Sequence, residues 1–580
     1  MVSFFPKSDR HRSGFLNFGS GRDGLLLTFQ TTFNKGGLAA VRTLCALGVL
    51  IMHGCTGEIP SSAKQSQIET AMQTESESEN VPEADATPSP SLTPDQSPSP
   101  TSTPVVASNS ILSFDFQSPV VATGVVDEAA ATISVTVPFR TTVTALVPII
   151  THLGVSVLPT ADLPQDFSTP VTYTVTAADG TTRAYVVTVL VADRDLSLTP
   201  DPAEYLAIVQ DMEGEGTAED PNQITNVVEL QSIIADLDAH YVLANPIDAS
   251  FTSQWNNGAG FIPMGDNSTS SAASRFTGTL NGAGFAITGL TINRPDTDNQ
   301  GMFFYNAGTI TNLRVLNAVV NGKVSSAILV VTNTGTISYC KTSGTVTSTG
   351  DNAGGMVNLN DGGGVIEFSS SSAVVNAANY AGGLVGSNSP WSGGSCTIRD
   401  SYATGNVTGG TNLGGLVGLT WGGAGALIER SYATGNVTGT SGVGGLIGQM
   451  TMWPTARNNY ATGNVSGTEL VGGLVGLTFR AYTPYSYSTG TVTASTTTNV
   501  GGFIGRAAQS QATSSTGAYW SSSASGQTAA FGSFSGGTST PGDLTAEQMK
   551  QQASYSGWDF TDIWSIEEGV SPPKLRGTIP

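Results

Sequence analysis

Four aromatic residues recur in phase along the second half of this chain. Trp391, Trp421, Trp453 and Phe479 follow Gly-Gly pairs that start at Gly382, Gly414, Gly444 and Gly472, by 9, 7, 9 and 7 residues. All four lie between repeated segments, where the spacing varies. Stacked on successive coils they line one edge with flat, apolar faces. Such a strip stacks on sugar rings or docks a protein. The competing reading folds each ring over its own loop.

Other chemistry is sparse. The chain holds 4 Cys and 4 His. Cys45 and Cys55 fall in a leader, which leaves Cys340 and Cys396 about two coils apart at different offsets. Two coils are ~9.6 Å of axis, beyond the ~7 Å Cα separation a disulfide tolerates. Both are expected as buried, unbonded thiols. His152 and His240 belong to no His-Glu-x-x-His pattern, and nothing groups them with a nucleophile. No catalytic residue, metal site or cofactor is expected. Asp296-Thr297-Asp298-Asn299-Gln300-Gly301 opens like a calcium loop but fails at Gln300 and at Ala307, its fifth and twelfth positions. It reads as a surface turn.

From 300 to 520 the acids are Asp351, Asp361, Glu367, Asp400, Glu429 and Glu469. Carbohydrate-cleaving enzymes set carboxylates as a close pair, and these are scattered. Arg399, Glu429 and Arg457 each stand three residues before a repeated Tyr, and Asp400 and Arg430 stand two before it. In parallel register these become Arg–Glu–Arg and Asp–Arg columns, so charge pairing explains them better than catalysis.

The elements that must carry these residues are strands. Gly accounts for 70 of 580 residues and charged residues for 12%, against a usual charged share of about 25%. That much Gly suits turns and tight coils rather than helices. The net charge of −21 argues against a nucleic-acid partner. The phrase Gly382-Gly383-Leu384-Val385-Gly386 recurs at Gly414, Gly444, Gly472 and Gly501, with a weaker copy at Gly354; successive starts are 28, 32, 30, 28 and 29 residues apart. A second phrase, Ser401-Tyr402-Ala403-Thr404-Gly405-Asn406-Val407, returns in step at Ser431, Asn459 and Ser486. A period near 30 without helical patterning predicts one β-solenoid coil per repeat. Alternation turns Ser401, Ala403, Gly405 and Val407 inward, with Leu384, Leu416, Leu446, Leu474 and Phe503 as a core column. Tyr, Thr and Asn face out, and Cys340 takes the inward position of Ser401.

These phrases resemble the GLUG-motif repeats of bacterial surface proteins, over about residues 204–580. The flanks "YVLANPID", "FTGTLNGAGFAITGLTI" and "IWSIEEGVSPPKL" resemble that family's entry and end regions. The resemblance implies export and surface interaction; some relatives add a zinc peptidase, whose motif this chain lacks. Asn226 with Glu229, and Thr545 with Gln548, predict N-capped helices at either end, closing off terminal coils.

Upstream, residues 110–193 alternate with period two, and Asp179-Gly180 predicts a hairpin. The segment is expected as a β-sandwich and resembles an Ig-like module of bacterial surface proteins. Residues 56–109, rich in Ser, Thr, Pro and Glu, read as a disordered tether. In residues 1–55, Arg42 precedes the short apolar run Leu44–Met52, which ends at His53-Gly54-Cys55. This resembles a bacterial lipoprotein signal, implying lipidation at Cys55 and a membrane anchor. A single-pass or an ordinary cleaved signal is the alternative, and a start at Val41 accounts for the long lead-in.

The fold expected is therefore all-β: a β-solenoid of ~30-residue coils, parallel and β-helix-like, with short capping helices, plus an N-terminal β-sandwich. The function expected is non-catalytic adhesion or ligand binding at a bacterial surface, to a glycan or to a host or neighbouring cell. A structural envelope spacer is the first alternative, and a carbohydrate-active enzyme the second.

Overall fold

The computed structural model describes residues 108–265, 274–423, 425–508, 514–535 and 539–577. The leader, Cys55 and nearly all of the tether lie outside the described residues. The chain is all-β, with 46% strand and 9% helix.

Seven strands make the first domain: β1 (Ile111–Phe116), β2 (Ala122–Asp127), β3 (Thr132–Val137), β4 (Pro148–His152), β5 (Ser156–Leu158), β6 (Val171–Thr176) and β7 (Thr182–Val191). Their order is β4-β1-β2-β3-β7-β6-β5, antiparallel except for β3 beside β7. Phe114 on β1 lies 5.2 Å from Tyr173 on β6, ring to ring. Those strands are four places apart in the order, so the sheet closes over one core. The Asp179-Gly180 hairpin forms as expected. Gly180 adopts φ +85°, and the Asp179 carboxylate accepts from both the N–H and the hydroxyl of Thr181.

A helical cap follows, α1 (Tyr205–Asp211) and α2 (Val227–Ser232). Asn226 caps α2 by accepting from the N–H groups of Val228 and Glu229. Glu229 reaches back to Thr225 rather than to Asn226 itself. At the far end Thr545 and Gln548 bond reciprocally, but only a 3₁₀ turn, Gln548–Lys550, grows from the box. The predicted second helix is thus reduced to a single turn.

Between the caps runs a parallel β-solenoid of about 9 turns, residues 279 to 534. One coil shows the pattern. Val385–Asn388 lies on a first face, Cys396–Arg399 on a second, and Tyr402–Ala403 with Val407–Gly414 on a third. Each pairs in parallel with its counterpart in the next coil, as Val385 with Val417, Ile398 with Ile428, and Tyr402 with Tyr432. The Gly-Gly phrase sits where the third face turns into the first. There backbones of adjacent coils nearly touch: a Cβ on Gly415 would lie 2.1 Å from the carbonyl oxygen of Gly445. No larger residue fits that corner, so the motif recurs.

Facing follows the alternation. Leu384, Leu416, Leu446, Leu474 and Phe503 are wholly buried, as are Ser401 and Ala403. Thr404, Asn406 and Thr434 are exposed. The buried Ser column is fully bonded. The N–H of Cys340 donates to Ser369 Oγ, Ser369 to Ser401, Ser401 to Ser431, Ser431 to Asn459 and Asn459 to Ser486, at 2.9–3.2 Å. Cys340 heads this column at the position its register predicts. A second ladder joins the side chains of Asn306, Asn333, Asn360 and Asn388 at 2.7–2.8 Å. Such continuous amide bonding pins register between coils.

One expectation is corrected. The outward Tyr column is not open along its length. Tyr402, Tyr432, Tyr460 and Tyr487 stack face to face, with centroids 4.8, 4.6 and 5.1 Å apart. The C-terminal segment folds back over the later members. Trp564 is fully buried against Tyr460 and Tyr487, and the Tyr487 hydroxyl donates to the carbonyl of Pro573 at 2.8 Å. A face that is polar in pattern can still be apolar in area, because stacked phenol rings expose carbon.

Candidate functional site

The four in-phase aromatics lie along the edge where the first face ends. They occupy two register positions, not one. Trp421, Thr451, Phe479 and Ala508 form a continuous column at the strand ends. In the preceding coil that position is Ser389, whose Oγ accepts from the N–H of Trp421. Trp391 and Trp453 stand two residues further on, in the loops. The alternation of 9 and 7 in sequence is this alternation between loop and strand end. Equal adjacency of all four is therefore corrected: Trp421 and Phe479 are separated by two strand spacings, ~9.6 Å.

Two groups result. Trp391 lies parallel to Trp421 of the neighbouring coil, with ring centroids 4.2 Å apart and planes 13° apart. Trp391 is 55% exposed. Further along, the guanidinium of Arg480 sits over both Trp453 and Phe479, at 5.5 and 5.3 Å from their centroids. Trp453, 39% exposed, also meets Tyr482. Below Phe479 a groove of about 410 Å³ runs between Gln449, Leu477 and Arg506. Arg480, Arg506 and Tyr482 escape the sequence reading. Arg480 follows Phe479 directly, and that adjacency was the available signal.

The edge thus offers exposed indole faces interleaved with two guanidinium groups and little negative charge. Flat apolar faces with nearby planar donors suit polyhydroxylated rings, or anionic groups on them.

The carboxylates are engaged elsewhere. Arg399 binds Glu367, Arg457 binds Glu429 at 2.6 Å, and Arg430 binds Asp400 through both oxygens. Asp351 accepts from Asn379, Asp361 from Ser392, and Glu469 from Ser441. The charge column is one residue longer than expected, since Glu367 joins it. Asp400 and Glu429 are also buried rather than exposed, so these pairs matter more than surface pairs do. The Asp400 carboxylate holds the Arg430 guanidinium even more firmly protonated than usual.

Cys340 and Cys396 are free and buried, and burial raises both thiols to about 12. Among the described residues no three His, Cys, Asp or Glu side chains gather as a metal site. The Asp296–Gly301 segment is a turn, with Asp298 3.9 Å from Lys323. Among the described residues no helix is long and apolar enough to cross a membrane. A cavity of about 1090 Å³ lies between Phe139 and the α1–α2 cap. Its two arginines are paired, Arg140 with Asp211 and Arg194 with Glu204.

Comparison with known proteins adds five likenesses. Residues 111–189 match the family described as "SGBP, N-terminal", and residues 377–408 and 409–438 match the GLUG motif. Over 249 residues the chain is 33% identical to Halomucin of Haloquadratum walsbyi, covering 37% of this chain and 2% of that protein. Over 91 residues it is 37% identical to a protein of Evansella cellulosilytica provisionally named a Gly-rich membrane protein, covering 16% of this chain and 10% of that one. The chain therefore spans a small part of the curated relatives it matches. A solved structure from Bacteroides thetaiotaomicron, provisionally described as a glycoside hydrolase, is 28% identical over 16% of this chain and 27% of that one, at a TM-score of 0.14. An overlap that small carries no argument about activity.

Proposed function

We propose that this chain is an exported cell-surface protein that binds glycan chains, without catalysis, along the aromatic edge of its solenoid. The observation that carries the reading is the Trp391–Trp421 stack, whose Trp391 is exposed, continued by Trp453 and Phe479 on either side of Arg480. A saccharide chain lying along the coil axis meets one ring group after another, so weak single contacts add up. The SGBP-type match at residues 111–189 supports the same class, since that module belongs to surface glycan-binding proteins. The likenesses to Halomucin and to a membrane protein fit a surface location. In this reading the first domain is an Ig-like spacer, and a lipid on Cys55 ties the chain to the membrane.

The test is a glycan array probed with the full chain and with Trp421→Ala. The expected result is binding to a defined set of glycans that drops at least tenfold in the variant, with little change in thermal stability. Unchanged binding together with a lower melting temperature would instead make the tryptophans loop supports. The Asn ladder from Asn306 to Asn388 and the Ser column from Cys340 to Ser486 favour that second reading, a structural spacer, because they stiffen the coils they join.

A further inference from the structure

Charge is spread unevenly along the solenoid. From Leu470 to Gly542 the only charged residues are Arg480 and Arg506, in a chain of net charge −21. The first face shows the same bias over its whole length. Its nine described strands hold no acid, and Arg506 is their only charged residue. The arginines of the charge columns are neutralised, since Arg399, Arg430 and Arg457 each bind a carboxylate. Arg480 and Arg506 are not: among the described residues no carboxylate pairs with either. Cations without counter-ions, on a surface cleared of acids, favour negative charge in whatever lies there.

The two guanidiniums accompany an aromatic groove. Leu477 and Phe479 face outward from one coil and pair in register with Arg506 and Ala508 of the next. Within its column Phe479 stands between two short residues, Thr451 and Ala508. Its own column therefore supplies no ring to cover it. The groove of about 410 Å³ beside it is lined by Arg506 as well, and Arg506 is exposed. Arg506 lies two residues from Ala508 along the strand, ~6.6 Å, about the span of one sugar ring. Arg480 follows Phe479 at the strand end, its guanidinium 5.3 Å from the ring centroid. Lying over a ring orients a guanidinium without neutralising it.

We propose that this end of the edge, from Phe479 to Arg506, binds an acidic polysaccharide, and that Arg506 and Arg480 hold the carboxylate or sulfate groups along it. A sugar ring rests on Phe479 and Leu477. Its acidic group meets the Arg506 guanidinium, whose planar fork matches either oxyanion. Gln449 and Thr451 offer donors and acceptors to the hydroxyls. The inference rests on the glycan-binding reading above and narrows it to one charge class.

The experiment is calorimetric titration of the full chain with three oligosaccharides of equal length: an oligogalacturonide, a sulfated glucan and a neutral glucan. It is repeated on Arg506→Gln, Arg480→Gln and Arg314→Gln, with a melting temperature for each. Arg314 is exposed in an early coil of the third face, so its loss subtracts the same charge away from the groove. The expected result is that at least one acidic chain binds at least tenfold more tightly than the neutral one. That preference should fall at least tenfold in Arg506→Gln and in Arg480→Gln, and stay within twofold in Arg314→Gln. Which acidic chain binds identifies the oxyanion as carboxylate or sulfate. Equal binding of neutral and acidic chains overturns the proposal and leaves the glycan-binding reading standing. An acidic preference that survives Arg506→Gln in a folded protein overturns it, as does one that falls equally in Arg314→Gln. Binding of none of the three overturns it too, and the glycan array then decides the wider reading separately.

Discussion

The guanidinium of Arg430 spans one coil to hold both carboxylate oxygens of Asp400, at 2.6 and 2.7 Å. Asp400 is buried while Arg430 keeps part of its surface in water. Removing the arginine strands a buried charge; removing both partners does not. Arg430→Ala should therefore cost about 2–3 kcal/mol, below the ~3–5 of a fully enclosed pair because solvent screens the arginine side. The double variant with Asp400→Asn should cost less than the sum of the two single changes. Urea unfolding of the four proteins measures this, and additive losses would mean the pair is not coupled.

Inward and outward positions should differ sharply in what they tolerate. Leu446 is fully buried in the core column, and Leu446→Ala should cost roughly 2–5 kcal/mol. Thr434 is exposed on the third face, and Thr434→Ala should stay within about 0.5 kcal/mol. Equal losses at the two sites would mean the strands face the other way.

The solenoid was readable because two of its constraints act within one repeat. Tight corners require the Gly-Gly phrase, and alternation along Ser401–Val407 fixes which side chains point in. Register then follows, and with it the place of Cys340 and the charge columns. What could not be read needed contacts from outside the repeat. The burial of Tyr460 and Tyr487 depends on Trp558 and Trp564, which belong to no period. The aromatic edge was half legible. Recurrence marked Trp391, Trp421, Trp453 and Phe479, but a count from Gly-Gly does not show where a strand ends and a loop begins. Arg480 and Arg506 were passed over because single arginines in a sparsely charged chain carry no pattern until neighbouring coils are in register. The Asn306–Asn388 ladder has a regular spacing but no distinguishing residue type among many asparagines.

The two thiols should respond differently to replacement by serine. Cys340 heads a column whose next members are Ser369, Ser401 and Ser431, and each of these hydroxyls donates to a carbonyl two residues back. Cys340 Sγ makes the same contact with Ser338, so Cys340→Ser should change stability by less than about 1 kcal/mol. Cys396 pairs with Ala426 and has no such ladder. Cys396→Ser should cost about 1–3 kcal/mol for a hydroxyl buried without a matched partner. Chemical denaturation of the two variants decides it, and a larger loss at Cys340 would refute the ladder argument.

Burial also fixes a pH dependence. Both thiols stay protonated in the folded chain up to about 12, whereas unfolded ones ionise from the ordinary value of 9.0. Between those limits the unfolded state holds fewer protons, so stability falls as pH rises, by about 1.4 kcal/mol per unit for each thiol. Below pH 9 their contribution is constant. The expected measurement is a falling unfolding midpoint above pH 9 that flattens in the Cys340→Ser, Cys396→Ser double variant; an identical slope would assign the alkaline loss to other groups.

The C-terminal segment gives the last prediction, because it is a long-range clasp on a largely local architecture. Trp564 is fully buried, 4.3 Å from Trp558 and just over 6 Å from Tyr460 and Tyr487. Trp564→Ala should cost about 3–5 kcal/mol, as for other buried large rings. A stability loss alone would not identify the clasp, so the phenols supply a second reading. Burial raises Tyr432 to about 12 and holds Tyr460 and Tyr487 above their ordinary value of 10.0. Tyr432 lies at the margin of the covered region, whereas Tyr460 and Tyr487 lie under it. Loosening the segment should therefore return Tyr460 and Tyr487 toward 10 and leave Tyr432 nearly unmoved. Phenolate absorbance followed from pH 9 to 12 in the folded variant should show about two additional tyrosines titrating early. If the variant titrates like the native protein, the segment does not control access to the column. If Tyr432 shifts together with Tyr460 and Tyr487, the stack itself has come apart.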